Sequence, residues 1–154
     1  MGRVFIYSLL LLAWALSIPQ AKSQTITENQ PLSFGTFAIV NNGSVSRLRV
    51  LNNGSYNADP AFMIISPPQR GSYTVTGYPP NRRLTVTFTN TYLNGPGATT
   101  FRLRNLGTVP NNNIRTNALG EASFFVVGTL ESTGSGIVYS NGRHSGNYTI
   151  DVTN

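Results

Sequence analysis

The chain has 154 residues, of which 11 are Lys or Arg and 5 are Asp or Glu, so its formal net charge is +6. Charge this sparse excludes a coiled coil or a long solvated helix, which are built from Ala, Glu, Lys, Leu and Arg. The absence of Cys excludes disulfides, thiolate metal sites and a cysteine nucleophile. The 17 Asn, 17 Thr and 15 Gly residues, together with frequent aromatics, favour an all-β protein with tight turns.

The N-terminal segment predicts a secretory signal peptide over residues 1–23. Arg3 supplies a positive start, residues 5–16 are apolar, and Ala21 and Ser23 place small residues at the −3 and −1 positions of a cleavage site. The apolar run is shorter than the ~20 residues that a helix needs to cross a bilayer. We therefore expect cleavage, no transmembrane segment in the mature chain, and secretion.

Turn signals divide residues 24–154 into short strands. Asn-Gly pairs, which are strong hairpin signals, recur along the chain. Apolar and polar residues alternate over 84–89 and 148–153, as in half-buried strands, while the apolar runs 61–65 and 124–127 are expected to be buried more fully. No segment has helical periodicity. About eight strands at regular spacing predict a single domain, residues 24–154, with an all-β two-sheet sandwich fold.

The residues that carry reaction chemistry form no recognisable catalytic or metal-binding pattern. His144 is the sole histidine and lies in a Gly-rich turn, where we expect it to be exposed to solvent. The five carboxylates are scattered, without the paired arrangement of a glycosidase or the spacing of a calcium loop. We therefore expect no enzymatic activity and no cofactor.

Four arginines project in pairs from two predicted strands. Arg47 alternates with Arg49 on one strand and Arg102 with Arg104 on another, so each pair shares an outward face. One interpretation is contact with an anionic polymer such as an acidic polysaccharide. The alternative, which we favour from the sequence, is that these charges keep the sheet soluble and protect it from edge pairing. Nucleic-acid binding is not expected, because no recognition motif is present.

Two segments carry a family resemblance. Residues 31–37 read L-x-F-G-x-F after a proline, and residues 142–152 end in G-x-Y-x-I-x-V. This opening and closing pair resembles bacterial secreted β-sandwich domains of the spore coat protein U and archaic chaperone–usher pilin type. It also resembles a related, cysteine-free family of uncharacterised surface domains, whose pattern shorter matches at 60–62, 71–75 and 127–130 fit, the last only in part.

The resemblance implies an immunoglobulin-like, pilin-like sandwich that lacks one strand. A periplasmic chaperone and then a like subunit supply the missing strand by β-strand addition. The implied role is a structural or adhesive subunit of a fibre or coat, located in the periplasm or at the bacterial cell surface. The residues implied in strand exchange are Ile26, Leu32, Phe34, Phe37, Tyr148, Ile150 and Val152.

Two features leave alternatives open. Only residues 24–30 precede the strand that contains Leu32, which is short for a donor segment, and the cysteine pair of many archaic pilins is absent. The sandwich is then either complete by itself or a terminal piece that accepts a strand and donates none. The alternative function is a monomeric, non-catalytic domain that binds glycans or a surface polysaccharide, with Tyr78, Tyr92 and Tyr139 as candidate sugar contacts.

Overall fold

The structure, a computed structural model, describes residues 23–89, 91–111 and 113–154. The predicted signal peptide therefore lies outside the described residues, apart from Ser23. Within them the chain is all-β, with twelve strands and no helix long and apolar enough to cross a membrane. The strands are β1 (Thr25–Gln30), β2 (Thr36–Ile39), β3 (Arg47–Val50), β4 (Tyr56–Ala58), β5 (Phe62–Ser66), β6 (Gly71–Thr76), β7 (Arg83–Phe88), β8 (Thr91–Asn94), β9 (Thr100–Val109), β10 (Ile114–Arg115), β11 (Ala122–Glu131) and β12 (Ile150–Thr153), with one 3-10 turn at Pro96–Ala98.

Seven strands form a large antiparallel sheet around β11. Strands β6 and β3 follow each other along one side of β11, and β9 pairs along the other side. Strand β1 extends the sheet from β6, β4 from β3, and β8 from β9. The β11–β9 ladder shifts register between Val127 and Thr129. Such a bulge strengthens the local twist, and the sheet curls into a half-barrel.

The N-terminal strands β1 and β2 run antiparallel to β6 and β5, but the two pairs lie in different sheets. β1 joins the large sheet, Ser33 forms an isolated bridge with Gln69, and β2 forms a two-stranded sheet with β5. Gly35 lies between the bridge and β2 with a φ of 70°, and a Cβ there would lie 2.2 Å from the Ser66 carbonyl oxygen. Only glycine fits this crossing between sheets.

The core lies in two clusters between the large sheet and two smaller sheets. The first cluster packs β2 and β5 against the large sheet, and the second packs the β10–β7–β12 sheet against it. Leu32, Leu106 and Tyr148 contact both clusters. The first cluster contains Phe34, Leu48, Val50, Phe62, Phe101, Leu103, Val127 and Leu130, and the second contains Tyr73, Val75, Tyr78, Leu84, Ile114, Phe124 and Val126.

The strand count differs from the prediction of about eight. Strands β4 and β10 have only three and two residues, too few for alternation to show in the sequence.

Not all residues of the apolar runs 61–65 and 124–127, which were predicted to be buried, are buried in the structure. Met63 and Ile65 of β5 are 58% and 68% exposed, and Phe125 of β11 is exposed too. β5 packs one face on the core and leaves the other in solvent, as strands of antiparallel sheets commonly do.

Candidate functional site

A groove of about 750 Å³ opens between residues 31–39, which include β2, and residues 138–148, which precede β12. Phe101 and Leu103 of β9 and Leu130 of β11 form its apolar floor. The two smaller sheets, β2–β5 and β10–β7–β12, both pack against the large sheet. The groove lies between these two smaller sheets.

The backbone beside this groove is unpaired on one side. Within the described residues, β2 pairs only with β5, and β12 pairs only with β7. Residues 138–148 make a single bridge, in which Ser145 and Asn94 exchange hydrogen bonds of 2.8 and 3.0 Å. One edge of β2 therefore presents its N–H and C=O groups to the groove, as an edge strand does to a further strand.

Aromatic packing, rather than strand pairing, covers the groove floor on the side of residues 138–148. The Tyr139 ring stacks on Phe101 with centroids 4.2 Å apart and an interplanar angle of 9°. Its hydroxyl donates to the Thr100 carbonyl at 3.0 Å and accepts from the Thr133 N–H at 2.9 Å. Tyr139 therefore covers Phe101 of the first core cluster with one side chain, which its two hydrogen bonds hold in place.

His144 is part of the same cover, and the prediction that it is a solvent-exposed turn residue is wrong. Its ring is half-buried, 5.0 Å from the Phe101 ring and edge-on to it, and its Nε2 lies 2.9 Å from the Thr99 hydroxyl. A Cβ on Gly95 would lie 2.2 Å from this ring, so the glycine leaves the space that His144 fills. The turn folds back onto distant residues, which the local sequence does not reveal.

Four of the seven residues implied in strand exchange line the groove. Leu32 is half-buried and Phe34 is buried at one wall, and Tyr148 is half-buried at the other. Phe37 of β2 packs edge-on against Phe101, with centroids 5.5 Å apart. These side chains come from the two ends of the described chain, so the fold assembles the groove from distant segments.

The other three residues of that set lie elsewhere. Ile150 and Val152 of β12 pack against the second core cluster, where β12 pairs with β7. Ile26 of β1 pairs with Val75 of β6 in the large sheet and is exposed. In the structure, β1 therefore pairs with β6 of its own chain and does not enter the groove.

A hydroxyl network ties the groove wall to β1. The Tyr73 hydroxyl donates to the Glu28 carboxylate at 2.5 Å and lies 2.7 Å from the Tyr148 hydroxyl. Burial raises the pKa of Tyr73 well above its ordinary value, and the hydrogen bond to Glu28 raises it further. Burial also raises the pKa of Tyr148. Both hydroxyls are therefore neutral at physiological pH.

The four predicted arginines come together on the outward face of the large sheet. In the ladders of β11, Glu131 lies opposite one arginine of β3 and one of β9, and Thr129 lies opposite the other two. We call this surface the arginine face: Arg47, Arg49, Arg102 and Arg104.

Two carboxylates are held within the arginine face. The Glu131 carboxylate accepts from Nε of Arg47 at 2.8 Å, and its other oxygen lies 3.3 Å from Nε of Arg104. Nη1 of Arg49 lies 3.2 Å from Asp59. The hydrogen bond to Glu131 raises the pKa of Arg47. Four positive and two negative groups leave this surface with a local charge of +2.

The three tyrosines proposed as sugar contacts lie in different parts of the structure. Tyr78 is buried in the second core cluster and Tyr139 is engaged with Phe101, so neither presents a free ring. Tyr92 of β8 is 52% exposed and lies opposite Arg102 on the outward face. Only Tyr92 is placed beside the arginines, because alternation along β8 points it away from the core.

The three glutamates of the described chain bond to separate partners. In the described part of the chain, no group of three or more His, Asp or Glu side chains is arranged to hold a metal ion. Glu28 bonds Tyr73, Glu121 bonds Asn117, and Glu131 bonds the arginine face. These carboxylates therefore lie at separate places in the fold.

A family model described as a domain of unknown function (DUF4402) matches residues 25–153. The chain belongs to this family. The expectation of an uncharacterised family is confirmed, whereas nothing in the comparison links the DUF4402 chain to spore coat protein U or to pilins. No curated protein and no solved structure matches the chain.

Proposed function

We propose that this protein is a structural or adhesive subunit of a bacterial cell-surface fibre or coat, assembled by β-strand complementation. In this proposal the sheets form an immunoglobulin-like sandwich with one strand position open. The groove carries the proposal, because an unpaired edge of β2 borders an apolar floor of Phe101, Leu103 and Leu130. An added strand would gain affinity from backbone hydrogen bonds and specificity from apolar side chains at alternate positions.

The outward face of the β2–β5 pair supports the proposal. Met63 and Ile65 alternate along β5 and point to solvent, and Val40, directly after β2, is exposed too. Clustered exposed apolar side chains mark surfaces that contact other molecules. We propose that a periplasmic chaperone and like subunits contact this face when a strand enters the groove.

Strand β1 is the donor segment in this proposal. All six of its residues are exposed, and it occupies the outer edge of the large sheet, where it pairs only with β6 among the described strands. A short edge strand of this kind exchanges partners at little cost in buried area. Ile26, which faces the core side of the sheet opposite Val75, would insert into the groove of the next subunit.

The first test is size-exclusion chromatography with light scattering on the protein recovered from the periplasm. Ladders, aggregates or a yield that depends on a chaperone support an open groove. A stable monomer that unfolds cooperatively contradicts polymerisation.

A matched pair of variants tests the donor. Ile26→Asp is expected to abolish the ladder, because a carboxylate cannot enter an apolar groove. Thr27→Asp is expected to leave assembly intact, because Thr27 lies opposite Thr74 on the other face of the sheet. Equal assembly of both variants would remove Ile26 as the inserted residue.

A second function, glycan binding by a monomeric non-catalytic domain, is favoured by the arginine face with the exposed ring of Tyr92. This surface and the groove lie on opposite sides of the large sheet, because Arg102 and Arg104 alternate with the buried Phe101 and Leu103. Occupation of one surface therefore leaves the other accessible.

A further inference from the structure

The arginine face has a regular geometry that neither strand pair has by itself. Arg47 and Arg102 flank Glu131 from opposite sides of β11, and Arg49 and Arg104 flank Thr129 in the same way. Strands lie about 4.8 Å apart and successive same-face residues about 7 Å apart. The four Cα atoms therefore form a rectangle of about 10 by 7 Å, with four guanidinium groups above it.

The guanidinium groups retain donors for a ligand. Arg47 and Arg104 approach Glu131 through Nε, and their Nη groups have no hydrogen-bond partner among the described residues. Arg102 has no hydrogen bond or ion pair there either. The paired Nη donors of a guanidinium fit the two oxygens of a carboxylate or sulfate in a planar, two-point contact.

Glu131 positions these donors without opposing a ligand. Its side chain is only 11% exposed, and each of its oxygens faces a different guanidinium. Its charge is therefore neutralised at the base of the face, and the surface above it remains positive. Because Glu131 restrains two of the arginines from below, less side-chain entropy is lost when a ligand binds.

The surroundings of the face are suited to a sugar chain. A cleft of about 520 Å³ continues from Arg49 and Thr129, and Asn52, Asn53 and Asn105 are among its lining residues. At the opposite side, the exposed ring of Tyr92 lies beside Arg102. Amide groups that hydrogen-bond hydroxyls, a ring that packs on a sugar face, and guanidinium groups together select a hydroxylated polyanion.

We propose that the arginine face binds an acidic polysaccharide through its carboxylate groups. This inference deepens the glycan-binding function and does not depend on strand complementation. The chain of the polysaccharide crosses β3, β11, β9 and β8 on the outward side of the large sheet. Arg49, Arg102 and Arg104 contact its carboxylates, and Tyr92 packs against a sugar ring.

The test compares immobilised carboxymethyl-dextran with unmodified dextran, which share a backbone and differ only in charge. The protein is expected to bind carboxymethyl-dextran, to bind it more weakly as salt is raised, and to ignore dextran. Dextran sulfate reports whether sulfate substitutes for carboxylate. No binding to carboxymethyl-dextran overturns the proposal, also when dextran sulfate binds, and equal binding to single-stranded DNA overturns the assignment to polysaccharide.

Two charge-matched double variants locate the site. Arg49→Gln with Arg104→Gln is expected to weaken binding at least about tenfold, since two charged contacts are lost. Arg82→Gln with Arg115→Gln removes the same charge from the region of the β10–β7–β12 sheet and is expected to change affinity by no more than about twofold. Equal losses would show general charge attraction and would overturn the site.

A single variant guards against misfolding. Arg102→Gln removes no ion pair within the described residues, so the fold is expected to be unchanged by circular dichroism while affinity falls about threefold or more. An unchanged affinity overturns the role of Arg102. Assembly in light scattering is expected to be the same for all three variants, so loss of polysaccharide binding and loss of strand complementation are separate results.

Discussion

The two halves of the core are closed in different ways over the same large sheet. The half around Phe124 is covered by the paired strands β10, β7 and β12, whereas the half around Phe101 is covered by β2, β5 and the stacked ring of Tyr139. Burial is the same, since Phe124 is 2% exposed and Phe101 is 1% exposed. Burial alone therefore does not reveal which half opens more readily. The half that depends on a few side-chain contacts is expected to open at lower free energy.

The largest expected effect on stability comes from removing the central aromatic ring of each half of the core in turn. Phe124→Ala and Phe101→Ala are each expected to destabilise the protein by about 3–5 kcal/mol. The loss at Phe101 is expected to be the smaller one, because residues 138–148 can move into the space beside the groove. Urea unfolding of both variants measures this difference. An equal or larger loss for Phe101→Ala would contradict the expectation that the half around Phe101 is the less rigid one.

The next largest effect on stability is expected at Tyr139, which covers Phe101. Tyr139→Ala removes the stack on Phe101 and two hydrogen bonds of the hydroxyl, so we expect a loss of about 2–3 kcal/mol. Hydrogen exchange of β9 amides near Phe101 is expected to rise, while amides near Phe124 stay protected. The control, Tyr92→Ala, removes an exposed ring and is expected to cost less than about 0.5 kcal/mol. Similar losses for the two tyrosines would contradict the role of Tyr139 as a cover.

The smallest effect is a pH dependence in the strand-covered half. The pKa of Tyr73 is raised in the folded protein above the unfolded value of about 10. The stability that its neutral hydroxyl contributes is therefore complete below pH 10 and is lost above it, by about 1.4 kcal/mol per pH unit. Tyr73→Phe is expected to remove this part of the alkaline slope in thermal unfolding. Parallel slopes for the wild type and the variant would contradict the assignment.

Much of the fold was predictable from alternation along the chain. The pattern around Leu84 and Val86, and around Ile150 and Val152, correctly identified β7 and β12, and the structure pairs these two strands. The all-β class followed from composition and turns. The number of strands did not follow from the sequence. Strands as short as β4 and β10 show no alternation of their own and are defined by their pairing with β3 and β7.

The candidate sites were predictable in their parts but not in their assembly. Alternation placed Arg47 with Arg49 and Arg102 with Arg104, yet nothing local indicates that Glu131 joins the pairs. The resemblance named Phe34 and Phe37, and the structure adds Tyr139 and His144 as the cover of the same groove. Arg47 lies 84 residues from Glu131 in the sequence, and Phe101 and Tyr139 are also far apart along the chain, so no short window of sequence contains these contacts.

The sequence by itself determined the all-β class and the alternation of core-facing and solvent-facing side chains along strands such as β7 and β12, because the side-chain period of a strand is two and each apolar residue gains free energy by leaving water. Only the tertiary structure decided which strands are neighbours, and with them the arginine face, the groove and its unpaired edge. Pairing between distant strands depends on how the inward faces pack together, and that is a property of the whole core rather than of any segment.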